Sequence, residues 1–290
     1  MVFSINIFSD IWQIFQWQFM QDAYEAGTVV AVVAGIVGYF VVLRRSSFAA
    51  HALSHIGFAG AAGAVLFGVN PVFGLLLFTS AGGTGIAILG PKASSRDVQI
   101  GTVLAFMLGI GVLFLNLYKG YADQAYSILF GEILGISPSS VLLTLAVSAP
   151  ILVAIAVVYR PLLFASLDED VAEAKGMPML LIGIIFMLLV AVATSIAVQV
   201  VGVLLIFALM VTPAAIAQRL TKKPVRAVLI SVAVALLATW VGLFIAFYQP
   251  YPVSFFITTI VFVLYLFVRF AYPKLKPSQS IPMKNPTDST

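Results

Sequence analysis

A chain of 290 residues that is 62% hydrophobic and 9% charged, with a mean hydropathy of +1.11, has too little polar surface to cover a soluble globule. It is read as an all-α polytopic membrane protein. The absence of cysteine excludes disulfides, thiolate zinc sites and iron–sulfur clusters, and the net charge of +4 does not make a nucleic-acid binder, because the basic residues are strung between apolar runs and form no patch.

The start, Met1-Val2-Phe3-Ser4-Ile5-Asn6, has neither the basic opening nor the small-residue cleavage site of a secretory signal, so no processing is expected. Residues 1–22 place Trp12, Phe15, Trp17 and Phe19 among glutamines and are expected to form an interfacial segment. A transmembrane domain follows over 23–272. Its first span, Tyr24 to Leu43, is long enough for a hydrocarbon core of roughly 30 Å and is stopped by Arg44-Arg45. Further spans are expected at about 50–68, 71–90, 98–118, 138–159, 178–198, 199–218, 225–248 and 252–270. Gln199 and Gly202 are the only turn signals between the sixth and seventh, so a count of eight stays open beside about nine. Tyr126 to Ile136 is expected to be re-entrant or interfacial. Gly82-Gly83-Thr84-Gly85 lacks the Lys-Ser/Thr of a phosphate loop, and Pro213 is expected to kink the seventh span. Residues 273–290, rich in Pro, Ser and Lys, are expected to be a disordered cytoplasmic tail.

Charge sets the orientation. With the N-terminus outside and nine spans, Lys119 alone of the fifteen Lys and Arg residues falls outside the cytoplasm, and the C-terminus is cytoplasmic. The long cytoplasmic connection, 160–178, contains the acids Asp168, Glu169, Asp170 and Glu173. Asp168 is expected to cap a short helix with Glu169 and Asp170 in its first turn and Gly176 and Pro178 at its end. An acidic solvated loop is the plainer alternative.

The two histidines of the chain are His51 and His55, four apart in His51-Ala-Leu-Ser-His55. On a helix both imidazoles share one face, one turn from each other, which is a chelating geometry. If the span leaves the interface near Ser47, His55 lies about 12 Å in, near the centre of the bilayer, where transporters place substrate sites. A packing role for a buried histidine is the ordinary alternative, but two in one turn of an otherwise histidine-free chain favour a metal pathway. Glu132 is the carboxylate of the apolar stretch 126–136 and is a weaker candidate for attracting cations on the outer side. Gln199, Ser195 and Thr194 are candidates for lining the route. Gly57, Gly60 and Gly63, three apart, are expected to admit a close neighbouring helix.

Four blocks in order give the chain a family resemblance: Arg44-Arg45 through His51 and His55; Leu129-Phe130-Gly131-Glu132-Ile133-Leu134; Asp168 through Gly176 and Pro178; and Val201-Gly202-Val203-Leu204-Leu205 through Pro213-Ala214-Ala215 and Ala217. The chain resembles the permease subunit of ATP-binding-cassette importers for zinc and manganese. That resemblance implies a bacterial cytoplasmic (inner) membrane location, a permease homodimer, and a cytoplasmic ATP-binding subunit docked on Asp168, Glu169, Asp170, Ala172, Glu173 and Gly176. It also implies an extracytoplasmic metal-binding protein that delivers the cargo, and no ATPase site or cofactor in this chain. The family has Asp where this chain has His51. Because imidazole suits zinc and carboxylate suits manganese, the exchange favours zinc as the expected cargo. The rival reading is a stand-alone secondary metal-cation transporter or channel. An intramembrane zinc hydrolase is disfavoured, because the pair lacks the glutamate general base of the metalloprotease helix.

Overall fold

The computed structural model describes residues 12–89, 93–118 and 127–271. Residues 1–11 of the expected interfacial segment, Lys92, Lys119, Tyr126 and the expected tail 273–290 lie outside the described residues. Among the described residues the chain is helical without strand, as hydrocarbon demands when every backbone N–H and C=O needs an internal partner. The helices are α1 (Gln18–Leu43), α2 (Ser47–Leu66), α3 (Pro71–Ile88), α4 (Ala93–Leu117), α5 (Pro138–Leu167), α6 (Glu169–Ala174), α7 (Met179–Val201), α8 (Val203–Leu220), α9 (Pro224–Tyr248) and α10 (Val253–Ala271). A 3-10 turn, Ile133–Gly135, precedes α5. Among the described residues nine helices, all but α6, are long and apolar enough to cross a membrane.

Small residues decide which helices go inside. Lipid tails are as apolar as leucine, so helices gain by close packing, and close packing needs Ala, Gly and Ser at the contact. α1 buries Ala23, Ala26, Gly27, Ala31, Ala34, Gly35 and Gly38, and α2 buries an almost unbroken run from Ala49 to Ala64 that His51 and His55 interrupt. α1 packs on α5, α7, α8 and α9, and α2 on α3, α4, α7 and α8, so the two are the centre of the bundle. α4 and α10, richer in large side chains, lie mostly at the periphery. Gly60 and Gly74 are the contact of α2 with α3: a Cβ at Gly60 would lie 2.7 Å from the Phe78 Cβ and closer still to the Gly74 carbonyl. Gly57 also faces α3, at Thr79, whereas Gly63 faces Phe114 of α4. The tetrad Gly82 to Gly85 is helical, and Gly83 lets α3 approach Met187 of α7.

Three helix ends repeat one backbone device. After α1, Arg45 N–H donates to the Val42 carbonyl (3.2 Å) and Ser46 N–H to the Val41 carbonyl (2.9 Å), with Arg45 at φ 53°. After α2, Gly68 and Val69 make the same pair of bonds, and Asn70 then caps α3 by accepting from Val72 N–H at 2.9 Å, with Pro71 in the first turn. After α6, Gly176 N–H reaches the Glu173 carbonyl (2.8 Å) and Met177 N–H the Ala172 carbonyl (3.1 Å). These closures end α1, α2 and α6 sharply, and the first sets α2 to begin at Ser47, one turn before His51.

The structure moves some expected boundaries. α1 starts at Gln18, six residues before the expected start of the first span at Tyr24, so the helix takes in the last residues of the stretch 1–22; a Gln18 to Asp22 side-chain hydrogen bond (3.0 Å) ties that first turn. α5 runs through Arg160-Pro161 to Leu167, so the first two turns of the expected loop 160–178 are helix, held by the burial of Leu162 and Ala165. Between α7 and α8 the chain turns at Gly202 alone. It is a true reversal: the start of α7 lies by Arg44, through Phe186, whereas the end of α8 lies by Tyr39, whose carbonyl accepts from Gln218 Nε2 at 3.2 Å.

Candidate metal pathway

The histidine pair forms as the spacing requires. α2 begins at Ser47, and the rings of His51 and His55 meet edge to face, with centroids 4.7 Å apart and planes at 87°. Phe207 of α8 closes against His51 at 4.8 Å between centroids. Both histidines are half-buried, yet Nδ1 of each is buried with no hydrogen-bond partner. Such an orphaned polar atom needs an explanation, because leaving it unpaired costs roughly 1–3 kcal/mol. Ser54 supplies none: its hydroxyl donates to the His51 carbonyl at 2.7 Å. A neutral imidazole keeps one nitrogen lone pair, so each ring has a donor to offer a cation.

No third ligand of the usual kinds joins them. Among the described residues no three of His, Cys, Asp and Glu come together, so one chain offers two imidazoles and no carboxylate. Glu132 stands elsewhere, exposed at the start of the 3-10 turn. With Gln199 and Ser127 it lines a cavity of about 190 Å³ walled by Ala61, Leu75 and Val198, at the end of the bundle opposite α6. The other polar candidates separate. Ser195 and Thr79 are satisfied by each other (2.6 Å) and by the carbonyls of Ala191 and Leu75, and they pin α7 to α3. Thr194 Oγ1 and Gln199 Oε1 are buried without partners. Pro213 lies inside α8, where it cannot donate to the Leu209 carbonyl.

At the other end, α6 forms as the sequence predicts. Asp168 Oδ1 accepts from Val171 N–H at 3.0 Å, Glu169 and Asp170 fill the first turn, and Gly176 at φ 78° ends it. Ala172 is fully buried against the ends of α5 and α7, while Asp168, Glu169, Asp170, Glu173 and Gly176 are exposed. Lys175 lies over the Phe164 ring at 5.1 Å. Beside α6 opens a cavity of about 700 Å³ whose lining includes Arg44 and Arg45 together with Asp97, Glu169, Asp170 and Glu173. Arg44 lies over Phe186 at 5.2 Å and reaches Ser166 Oγ at 3.5 Å.

Sequence reasoning missed two features. Phe207 arrives from another helix, with no local signal. Gly131 (φ 75°) and Gly202 (φ 82°) press backbone to backbone: a Cβ at Gly131 would lie 2.6 Å from Gly202 N, and one at Gly202 would lie 2.6 Å from the Leu129 carbonyl oxygen. Both glycines stand in the second and fourth sequence blocks, which was the available sign.

Comparison with known proteins accords with this architecture. Residues 16–272 match the model of the ABC 3 transport family. The chain is 30% identical over 267 residues to the manganese import system permease protein ScaB of Streptococcus parasanguinis, covering 91% of this chain and 94% of that protein. It is 30% identical over 233 residues to the manganese transport system membrane protein MntC of Listeria innocua, covering 80% and 83%. Among solved structures, PsaBC from Streptococcus pneumoniae in complex with Fab superposes with a TM-score of 0.82 at 30% identity, over 93% of this chain and 97% of that one.

Proposed function

The chain belongs to the ABC 3 transport family, and from that premise we propose that it is the permease through which a bacterial importer moves a divalent transition metal across the cytoplasmic membrane. The observation that carries the cargo is the pair of half-buried imidazoles, His51 and His55, stacked one turn apart in a central helix with an unpartnered Nδ1 on each. A transporter must bind its ion tightly enough to strip it from water and loosely enough to let it go. Two donors do the first without the full shell that would prevent the second. A second copy of the chain, facing the first across the route, would bring two more imidazoles. Rocking of the two bundles between outward and inward packing would then expose the pair to each side in turn.

Energy enters from a separate subunit, since no P-loop motif stands in the sequence. The exposed acids Asp168, Glu169, Asp170 and Glu173 on α6 offer an ATP-binding subunit a rigid, negatively charged ridge, and Ala172 and Gly176 set its seat and its end. An extracytoplasmic metal-binding protein would deliver the ion at the opposite face.

Two readings of the cargo rest on different observations. Manganese is the metal in the names of the relatives ScaB and MntC, and it is the leading reading. The zinc preference drawn from the sequence gains nothing from those names and rests on the two imidazoles and the missing carboxylate. The experiment is uptake of radiolabelled Mn2+ and Zn2+ into cells that carry the importer, with and without His55→Ala. Loss of uptake with unchanged co-purification of the ATP-binding subunit is expected; undiminished uptake refutes the pathway role. Flux through the purified chain alone in liposomes, driven by an ion gradient, would instead make it a secondary transporter.

A further inference from the structure

The cavity at the α7–α8 reversal stands apart from the histidine pair. Three residues with side-chain oxygens are among those that line it: the exposed Glu132, Gln199 and Ser127. Gln199 Oε1 is buried and has no hydrogen-bond partner, so a side chain that lines this space carries an unsatisfied carbonyl-type acceptor. At about 190 Å³ the space holds an ion together with several waters, since one water needs only roughly 10–15 Å³ on this measure. One of its walls, Ala61, is on the histidine helix itself, six residues beyond His55, or about 9 Å along the axis.

The backbone holds these donors in place. Glu132 follows Gly131, and Gln199 stands three residues before Gly202. Those two glycines are the ones whose backbones press together. The segment around Glu132 is thereby fastened to the α7–α8 turn, so the carboxylate and the amide come from two distant parts of the chain but share one rigid corner. Thr79 and Ser195, hydrogen-bonded to each other, close the α3–α7 contact nearby and do not compete as donors.

We propose that this corner is a first station for the cation, occupied before the histidine pair: Glu132 supplies the charge, the Gln199 carbonyl and Ser127 hydroxyl supply neutral oxygens, and the ion keeps part of its water shell. The inference rests on the metal-import reading above and adds a division of labour to it. The outer station is built of hard oxygen donors, which accept a partly hydrated divalent ion. The inner pair is built of nitrogen, which requires the ion to shed water. An ion therefore meets the charge first and the more selective ligands second.

The test is equilibrium binding of Mn2+ to the full chain with its ATP-binding subunit in nanodiscs, in a His51→Ala, His55→Ala background that removes the inner pair. Stoichiometric Mn2+ binding should persist. Glu132→Gln, at an exposed position that puts no strain on the fold, should weaken it about tenfold or more, Glu132→Asp should keep it, and Gln199→Glu should tighten it. A histidine-free chain that binds no Mn2+, or an affinity unmoved by either Glu132→Gln or Gln199→Glu, overturns the proposal. Neither result touches the import reading, whose own failure would be an unsubstituted importer that takes up no metal at all.

Discussion

His51 combines with His55 because a helix turns once every 3.6 residues, and among the described residues no Asp or Glu joins the pair to make a group of three. A carboxylate at position 51 should shift the metal preference. His51→Asp places one hard, charged oxygen donor beside His55, and the ratio of Mn2+ to Zn2+ uptake in a competition assay should rise about tenfold. An unchanged ratio would mean that position 51 does not touch the ion. The pairing of the imidazoles was legible in the sequence, since an i, i+4 spacing on a helix puts both side chains on one face. Phe207 was not: its contact with His51 depends on how α8 crosses α2, and a 3.6-residue pattern says which face a residue occupies but not what it faces. Glu132 was legible as the carboxylate of its apolar stretch, but that Gln199 lines the same cavity could not be read from spacing, because the two segments come together at the Gly131–Gly202 contact.

At the level of helices and turns, apolar run lengths located each of the nine candidate spans among the described residues, because the thickness of the bilayer core leaves little choice of length. What they located poorly were the ends. α5 overran its expected stop at Arg160-Pro161, since proline lacks a donor but does not forbid a helix whose far side is packed by Leu162 and Ala165. The α7–α8 boundary turned out to be a single residue. Gly202 stands at φ 82° and ψ 165°, a region essentially closed to residues with a Cβ, and the backbone of Gly131 occupies the space where one would go. Gly202→Ala should therefore destabilise the chain by about 1–3 kcal/mol or more, read as a lower midpoint in thermal unfolding in detergent. Gly131→Ala should do likewise, and the double variant should cost less than the sum, because either Cβ alone forces the same two segments apart. Fully additive losses would argue that the two segments do not depend on each other.

For the whole molecule the question is which end meets the cytoplasm. An odd number of spans puts the N-terminus and α6 at opposite ends, and the basic residues gather at the α6 end: Arg44 and Arg45 before α2, Lys175 after α6, and Arg219, Lys222, Lys223 and Arg226 between α8 and α9. By the positive-inside rule we propose that α6 faces the cytoplasm and Glu132 the outer side. The acidic ridge of α6 sits within this basic end, beside the 700 Å³ cavity that Arg44 and Arg45 share with Asp97, Glu169, Asp170 and Glu173, so a docking partner would meet both signs of charge at one place. Because the chain has no cysteine, single introduced thiols report sidedness without background. Glu173→Cys, exposed on α6 and clear of the buried Ala172, should react with a membrane-impermeant maleimide in inside-out vesicles and not in intact cells; Glu132→Cys should show the reverse. Adding the ATP-binding subunit should protect Glu173→Cys and leave Glu132→Cys untouched, and because the ridge is exposed, the protection should fade as ionic strength rises above about 0.15 M. Labelling of both thiols from the same side would undo the nine-span orientation. Labelling from the expected sides without protection would keep the orientation and move the motor's seat away from α6.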